Sequence, residues 1–290
     1  MLSAKTLFAY LAYALLAAVV FLYLLFPDQA VKAYMDGRLA AIDPGLSMQA
    51  DSIRPAIPPG LKMTGVDLIR DRFRLARFDH ARMYPQFTSL LKAEKVFRFQ
   101  ARLADGDVTG RAVVIDNGPS TLMRAEAELS SIRLEQLTAV GSLKRFTLGG
   151  LLDGRLTHEG DGRAPAGTTN GDLSVSQLRI TLKTPILGIA DLLMDQTDAA
   201  FSFDGRSLRL KALTFDGPML EGKINGSIAL RRPLGSSRLN LSGNARPRPE
   251  LIARLQQTAA AGVADSQIAG SRGMTFRVRG TIDKPELSMR

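Results

Sequence analysis

From Leu61 to the end of the chain, apolar and polar residues alternate at every second position, and this period decides the fold class. A period of 2 sends successive side chains to opposite faces of an extended strand, giving one dry face and one wet face. Phe97, Phe99, Ala101 and Leu103 alternate with Arg98, Gln100 and Arg102. Met123, Ala125, Ala127 and Leu129 alternate with Arg124, Glu126 and Glu128. In LEGKINGSIAL, Leu220, Gly222, Ile224, Gly226 and Ile228 share one face, and Glu221, Lys223, Asn225 and Ser227 the other. Turn signals separate the runs at Asp105-Gly106, Asn117-Gly118-Pro119, Asp161-Gly162, Asn170-Gly171, Asp204-Gly205 and Asp216-Gly217. Asp153-Gly154 and Asn225-Gly226 fall inside alternating runs, where glycine marks a bulge or bend. The pattern predicts a mainly β protein, an elongated antiparallel sheet built by loose repetition. Three segments predict short helices: Leu134 to Leu143, Pro185 to Met194 and Pro249 to Gln257. Gly262 to Gly273, small and polar, predicts a mobile loop.

Thr6 to Phe26 is of another kind. It holds no charge, Gly or Pro. As a helix it would reach roughly 30 Å, the thickness of a bilayer's hydrocarbon core. A cleavable signal peptide would need small residues at its cleavage site, but Leu24-Leu25-Phe26 are large. The stretch therefore predicts a single retained transmembrane helix. Lys5 precedes it, and Asp28, Lys32, Asp36 and Arg38 follow, so flanking charge is nearly balanced. The short leader places residues 1–5 in the cytoplasm and everything after Pro27 outside the cytoplasmic membrane. The expected organisation is a leader and anchor over 1–27, a stalk over 28–60 and a β domain over 61–290. Within the stalk, Gln29 to Ile42 suits a short helix, and Pro44, Pro55, Pro58 and Pro59 then break the chain.

No constellation for catalysis emerges. The chain lacks Cys, which removes disulfides and thiolate chemistry, and has two His. His158-Glu159-Gly160-Asp161 is a sparse ligand set beside turn residues, better explained as a solvated loop. There is no phosphate-binding glycine loop and no nucleophile elbow. The expectation is a non-enzyme without cofactor or metal. The net charge of +10 suits anionic lipid or an acidic partner. Outward placement of the domain makes nucleic acid an unsuitable partner. In the run from Arg70 to Phe78, a strand would put Arg70, Arg72 and Arg74 on one face. They form a candidate anionic-partner patch, for a lipid headgroup or an acidic protein. A solvated strand face is the plainer explanation.

The segment from Asp198 to Leu251 resembles the core of the protein N (GspN) family of bacterial type II secretion. The ending FRVRGTIDKPELSMR is similar to the close of proteins in the wider AsmA-like group. The resemblance implies a curled sheet with an apolar concave face, anchored in the bacterial inner membrane with its bulk in the periplasm. It implies no catalytic residues. Two functions follow as expectations. One is an accessory of the type II secretion system, in contact with other secretion components. The other is a lipid-binding or lipid-bridging module whose apolar groove is lined by Phe201, Phe203, Leu220, Ile224, Ile228, Leu239 and Leu241. Short helices packed over the same face as an ordinary core are the competing arrangement.

Overall fold

The computed structural model describes residues 8, 10, 13, 14, 17, 20, 21, 23–42, 45–57, 59–70, 73–116, 121–141, 146–161, 167–186, 189–231, 233–257 and 273–289. Among these residues, fourteen strands form one antiparallel, curled sheet in strict sequence order. The strands are β1 (Leu46–Ala56), β2 (Gly60–Arg70), β3 (Phe73–Pro85), β4 (Glu94–Leu103) and β5 (Gly106–Asp116). There follow β6 (Thr121–Arg133), β7 (Phe146–Asp161), β8 (Gly167–Ile186), β9 (Ile189–Phe203) and β10 (Ser207–Asp216). The series closes with β11 (Leu220–Ala229), β12 (Arg238–Pro247), β13 (Met274–Gly280) and β14 (Pro285–Met289). Each strand pairs with its neighbours in sequence, so β1 and β14 are the two edges. Thirteen steps of about 4.8 Å make the sheet roughly 60 Å along its curve.

Register carries the alternation from strand to strand. One row of directly paired positions crosses all fourteen strands. It starts Pro55–Leu61–Met83–Phe99–Gly110–Ala127–Leu156. It continues Gly171–Phe201–Leu210–Gly226–Leu241–Val278–Leu287. The row contains no polar or charged side chain. A second row, two residues along, runs from Ile53 through Met63, Val108, Leu173 and Ile224 to Phe276. The positions alternating with these rows along each strand belong to the other face, which carries cross-strand ion pairs. Arg111 meets Glu126 at 3.1 Å, and Arg124 meets Glu159 at 3.1 Å.

Several rings lie against glycines of the neighbouring strand. Phe99 pairs with Gly110, Phe201 with Gly171, Phe215 with Gly222 and Phe276 with Gly243. A Cβ at Gly110 would stand 2.5 Å from Phe99 Cζ, and one at Gly222 would stand 2.6 Å from Phe215 Cζ. The missing side chains leave room for the rings to lie flat on the sheet, an arrangement that pairs an aromatic with an otherwise unpacked glycine.

The two rims differ. At the distal rim, where β6 and β12 end, helical segments fold onto the apolar face. A 3-10 turn spans Leu134–Gln136. Leu134 is buried, and Leu137 packs on the cluster of Ala104, Val108 and Ile132. Leu251, on the helix Pro249–Gln257, packs with Met219 and Leu220. The opposite, proximal rim carries the β1–β2 turn, the β3–β4 connection and the β9–β10 turn. In that last turn the Asp204 carboxylate accepts backbone N–H groups from Arg206 and Ser207.

Helix α1 (Asp28–Ile42) lies along the β1 edge. Asp36 accepts the Met48 N–H, and Lys32 donates to the Asp51 carbonyl, so α1 runs antiparallel to β1. Its N-terminal end and Phe26 therefore lie towards the proximal rim. Phe26, Val31 and Met35 pack on Ile53, Met63 and Val66, with Ile53 only 1% exposed.

Several sequence expectations need correcting. The sheet begins at Leu46, inside the expected stalk, because Met48, Ala50 and Ile53 pair with β2. Pro55 fits there because β1 is an edge strand. Pro185 to Met194 is a β8–β9 hairpin instead of a helix. Ile186 pairs with Ile189, Ile180 with Leu192 and Leu178 with Met194, a ladder that overrides local helix preference. Asn170-Gly171 is strand interior instead of a turn. The helix over 134–143 is the 3-10 turn followed by one short turn, Thr138–Gly141. Pro249–Gln257 is helical as expected. Residues 117–119 and 262–272 lie outside the described residues, as does most of Thr6 to Phe26. Phe8, Tyr10, Tyr13, Phe21 and Leu24 are helical and exposed. Among the described residues no helix is long and apolar enough to cross a membrane.

The register makes a stability prediction. Ile224 packs beside Phe215 and Ala245, whereas Lys223 faces solvent. Ile224→Asp buries an unpaired carboxylate and should lower the thermal midpoint far more than Lys223→Asp. Equal losses in a melting experiment would overturn the face assignment. The rings offer a second check, because a Cβ at Gly171 would come nearest to the Phe201 ring and Leu156 Cδ2. Gly171→Ala should cost about 1–3 kcal/mol by overpacking. Adding Phe201→Leu should recover part of that loss in a double-mutant cycle.

Candidate functional site

The candidate site is the apolar face of the sheet. Of the seven residues expected to line a groove, Phe201 and Leu241 stand in the continuous row and Ile224 in the second. Phe203, Ile228 and Leu239 join Leu208 in a third row, nearer the proximal rim. Leu220 is at the distal rim, where Met219 and Leu251 cover it. All seven share the face, and all are half-buried.

Burial varies along this face. Full burial gathers in small clusters under α1, under residues 134–141, and around Met194, Phe215 and Ala245. Between them, Phe97, Leu156, Phe203, Ile228 and Leu239 remain half-exposed. A sheet face normally packs against a second layer. Among the described residues only short segments supply one here. The face is thus filled at the distal rim and open over much of the remainder. A cavity also opens at the bulge between β7 and β8, about 710 Å³ in volume, beside Leu148, Gly150, Leu178 and Met194. The bulge shows in the shifted register between Gly149 and Leu151 and in the positive φ at Gly150 and Gln177.

His158 sits in the third row and shares a hydrogen bond with Thr169 Oγ1 at 2.9 Å. Glu159, on the other face, is held by Arg124. The tetrapeptide 158–161 therefore sends its ligand types to opposite sides. Among the described residues no group of three or more His, Asp or Glu is placed to hold a metal ion.

The basic run 70–78 is not one strand, which corrects the expected patch. β2 ends at Arg70 and β3 starts at Phe73. Arg70 pairs with Phe73 and Arg74 with Ile69, so the two arginines fall at register positions of opposite faces. Arg74 Nε lies 3.0 Å from Asp67, a carboxylate only 7% exposed that Arg77 also binds at 2.9 Å. Arg72 lies outside the described residues. Cation chemistry at this end is internally neutralised.

A different basic group was missed in the sequence. Arg54, Lys62 and Arg82 are consecutive partners across β1, β2 and β3. Arg98 pairs with Tyr84 and Arg111 on the neighbouring strands. Arg54, Lys62, Arg82 and Arg98 are all exposed. The signal was present in the spacing, since 54–62 and 82–98 hold the basic residues Arg54, Lys62, Arg82, Lys92, Lys95 and Arg98 against the single acid Glu94. Reading it required knowing which strands pair.

On the outer face the acids sit with arginine. Arg248 donates to Glu221 at 2.9 Å, and Arg246 lies 3.3 Å from the same carboxylate. The Arg248 hydrogen bond holds Glu221 below the usual carboxylate range, with the charges of both arginines adding to it. The hydrogen bond and charge of Arg111 do the same for Glu126.

Comparison with protein-family models, with curated proteins and with solved structures finds no match.

The ion pairs set a pH dependence. A carboxyl with a depressed folded pKa contributes stability above its unfolded pKa of about 4.3 and loses it as pH falls through the folded value. The thermal midpoint should fall as the solution is acidified below about pH 4. Glu221→Gln should flatten that fall modestly, because exposed pairs contribute little. Melting curves across the acid range measure both.

Proposed function

We propose that this chain is a membrane-tethered module of the cell envelope that shelters the acyl chains of lipids on its apolar face. One observation carries the reading: rows of apolar residues cross the sheet, and much of their surface stays half-exposed. Soluble monomers rarely expose contiguous apolar patches larger than a few hundred Å². A curved face roughly 60 Å long suits flexible hydrocarbon chains. Only non-directional contact is needed to hold them, and the rows supply no charge to select against them. Thr6 to Phe26 is the tether. Its described large side chains touch no core cluster until Phe26, as suits a helix whose solvent is lipid. The sheet then stands outside the inner membrane, in the periplasm.

The likeness of residues 198–251 to protein N of type II secretion supports a second role, as an accessory of that system. That segment spans the end of β9 through β12, where Arg246 and Arg248 bind Glu221 on the outer face. The two roles use opposite faces and are compatible. Crosslinking in cells should recover secretion components, and their absence together with normal secretion in a deletion strain would remove this second role.

Native mass spectrometry of the full chain, released from mild detergent, tests the main proposal. Bound phospholipid is the expected result, and a chain that never carries lipid would overturn it. Ile228→Ser combined with Leu239→Ser changes the open row outside the buried clusters. This variant should lose the lipid and keep its melting temperature within a few degrees.

A further inference from the structure

We infer that the proximal tip of strands β1 to β4 is a second membrane contact, which inserts apolar side chains among lipids and binds anionic headgroups. The inference rests on the tether proposed above and adds a surface that the tether does not require.

Three independent features meet at this tip. The first is apolar. Ile57, in the β1–β2 turn, is 88% exposed, and Leu91, in the β3–β4 connection, is 98% exposed. Phe87 and Leu90, on the one-turn helix α2 (Phe87–Leu90), are exposed beside them. Among the described residues beyond the N-terminal helical stretch and Tyr34, the other exposed large apolar residues are Leu151, Leu234 and Leu287, each on a different connection or strand. The fully exposed large apolar side chains described on the sheet are therefore concentrated at this tip, in contrast to the half-buried rows of its face.

The second feature is charge. Arg54, Lys62 and Arg82 stand directly opposite one another, an arrangement of like charges that destabilises a sheet. Lys92, Lys95 and Arg98 lie beside the Leu91 tip in sequence. Among the described residues none of these six cations has an ion-pair partner. On the outer face Arg111, Arg124 and Arg248 are each matched with an acid. An uncompensated cationic row flanking exposed Leu, Ile and Phe is the composition of an interfacial membrane-binding surface.

The third feature is position. Helix α1 runs antiparallel to β1, so Phe26, where the proposed tether ends, lies towards this same rim. The apolar tips and the cations share that rim. One bilayer satisfies all three, with Leu91, Ile57, Phe87 and Leu90 about 5–10 Å into the headgroup and acyl boundary. Each cation near an anionic surface adds an attraction that falls off within a Debye length.

The chain contains no Trp, so a single introduced one reports its own surroundings. Full-length Leu91→Trp is reconstituted into vesicles of phosphatidylcholine with or without phosphatidylglycerol, and lipids brominated on the upper acyl chain serve as quencher. Lys223→Trp, on the exposed outer face of β11, is the control. In vesicles with phosphatidylglycerol, Leu91→Trp should shift to the blue and lose about half its emission, as expected at the depth of an interfacial insertion. Lys223→Trp should be unaffected. Omitting phosphatidylglycerol, raising the salt, or adding Arg54→Glu, Lys62→Glu and Arg82→Glu should each reduce the quenching. Quenching of Leu91→Trp no greater than that of Lys223→Trp would overturn the inference. Quenching indifferent to lipid charge, salt and charge reversal would overturn its headgroup part. Alkaline washing of the same vesicles distinguishes the tether: a chain that washes off overturns the tether and this inference with it, whereas a retained chain with an unquenched Trp overturns the tip alone.

Discussion

The structure depends on register. Every strand pairs with its sequence neighbours, and a slip by one residue would send an entire apolar set to the wet face. The sequence holds that register by alternation and by local irregularities where alternation lapses. Ser131 and Gln177 adopt positive φ at shifts between β6 and β7 and near the β7–β8 bulge, and Gly65 does so in β2. Around Gly65 the chain twists enough that Met63 and Val66, three residues apart, join one cluster. A side chain at Gly65 would collide with the Asp51 carboxylate, so the bend is reserved for glycine there. Most pairings are local hairpins, so long-range closure is needed at few points.

A single curled layer leaves an imbalance that two-layer folds remove. Backbone groups within the sheet are satisfied by the ladder, but among the described residues the apolar face has only α1, residues 134–141 and Pro249–Gln257 laid over parts of it. The phenylalanines that lie over cross-strand glycines lower the relief of this face. Rings flat on the backbone bury area against the sheet without needing a facing layer, and they leave a smooth surface above. The same feature that lets one layer stand alone makes the face suited to chains of hydrocarbon.

Much of this was legible in the sequence because period 2 is a backbone property. The strands around Phe97 to Leu103 and Leu220 to Leu230 follow directly from alternation, and the groove residues fall on one face because they were chosen by that period. The failures share a cause. Pro185 to Met194 has apolar residues on most sides, so periodicity could not separate helix from buried strand, and pairing with β8 decided it. Arg70, Arg72 and Arg74 look like one face only if they share a strand, whereas β2 ends at Arg70 and β3 begins at Phe73. Pro55 and Pro58 suggest a stalk, but a proline in an edge strand costs no ladder bond. The unpaired cations escaped notice because Arg54, Lys62 and Arg82 are distant in sequence and adjacent only through pairing.

The two rims give the proposed module a direction. Leu134, Leu137, Met219 and Leu251 close the apolar face at the distal rim, where the helical segments lie. At the proximal rim, Phe203, Leu208, Ile228 and Leu239 form the last apolar row and sit outside the buried clusters. Hydrocarbon can therefore reach the rows from the proximal side and along the open stretches between clusters. Phe26, where the proposed tether ends, lies on that side, and the tip of β1 to β4 carries its exposed apolar residues there. In the proposed arrangement anchor, tip and open row act on one boundary, so that the membrane holding the sheet would also be the nearest source of the chains its face would shelter.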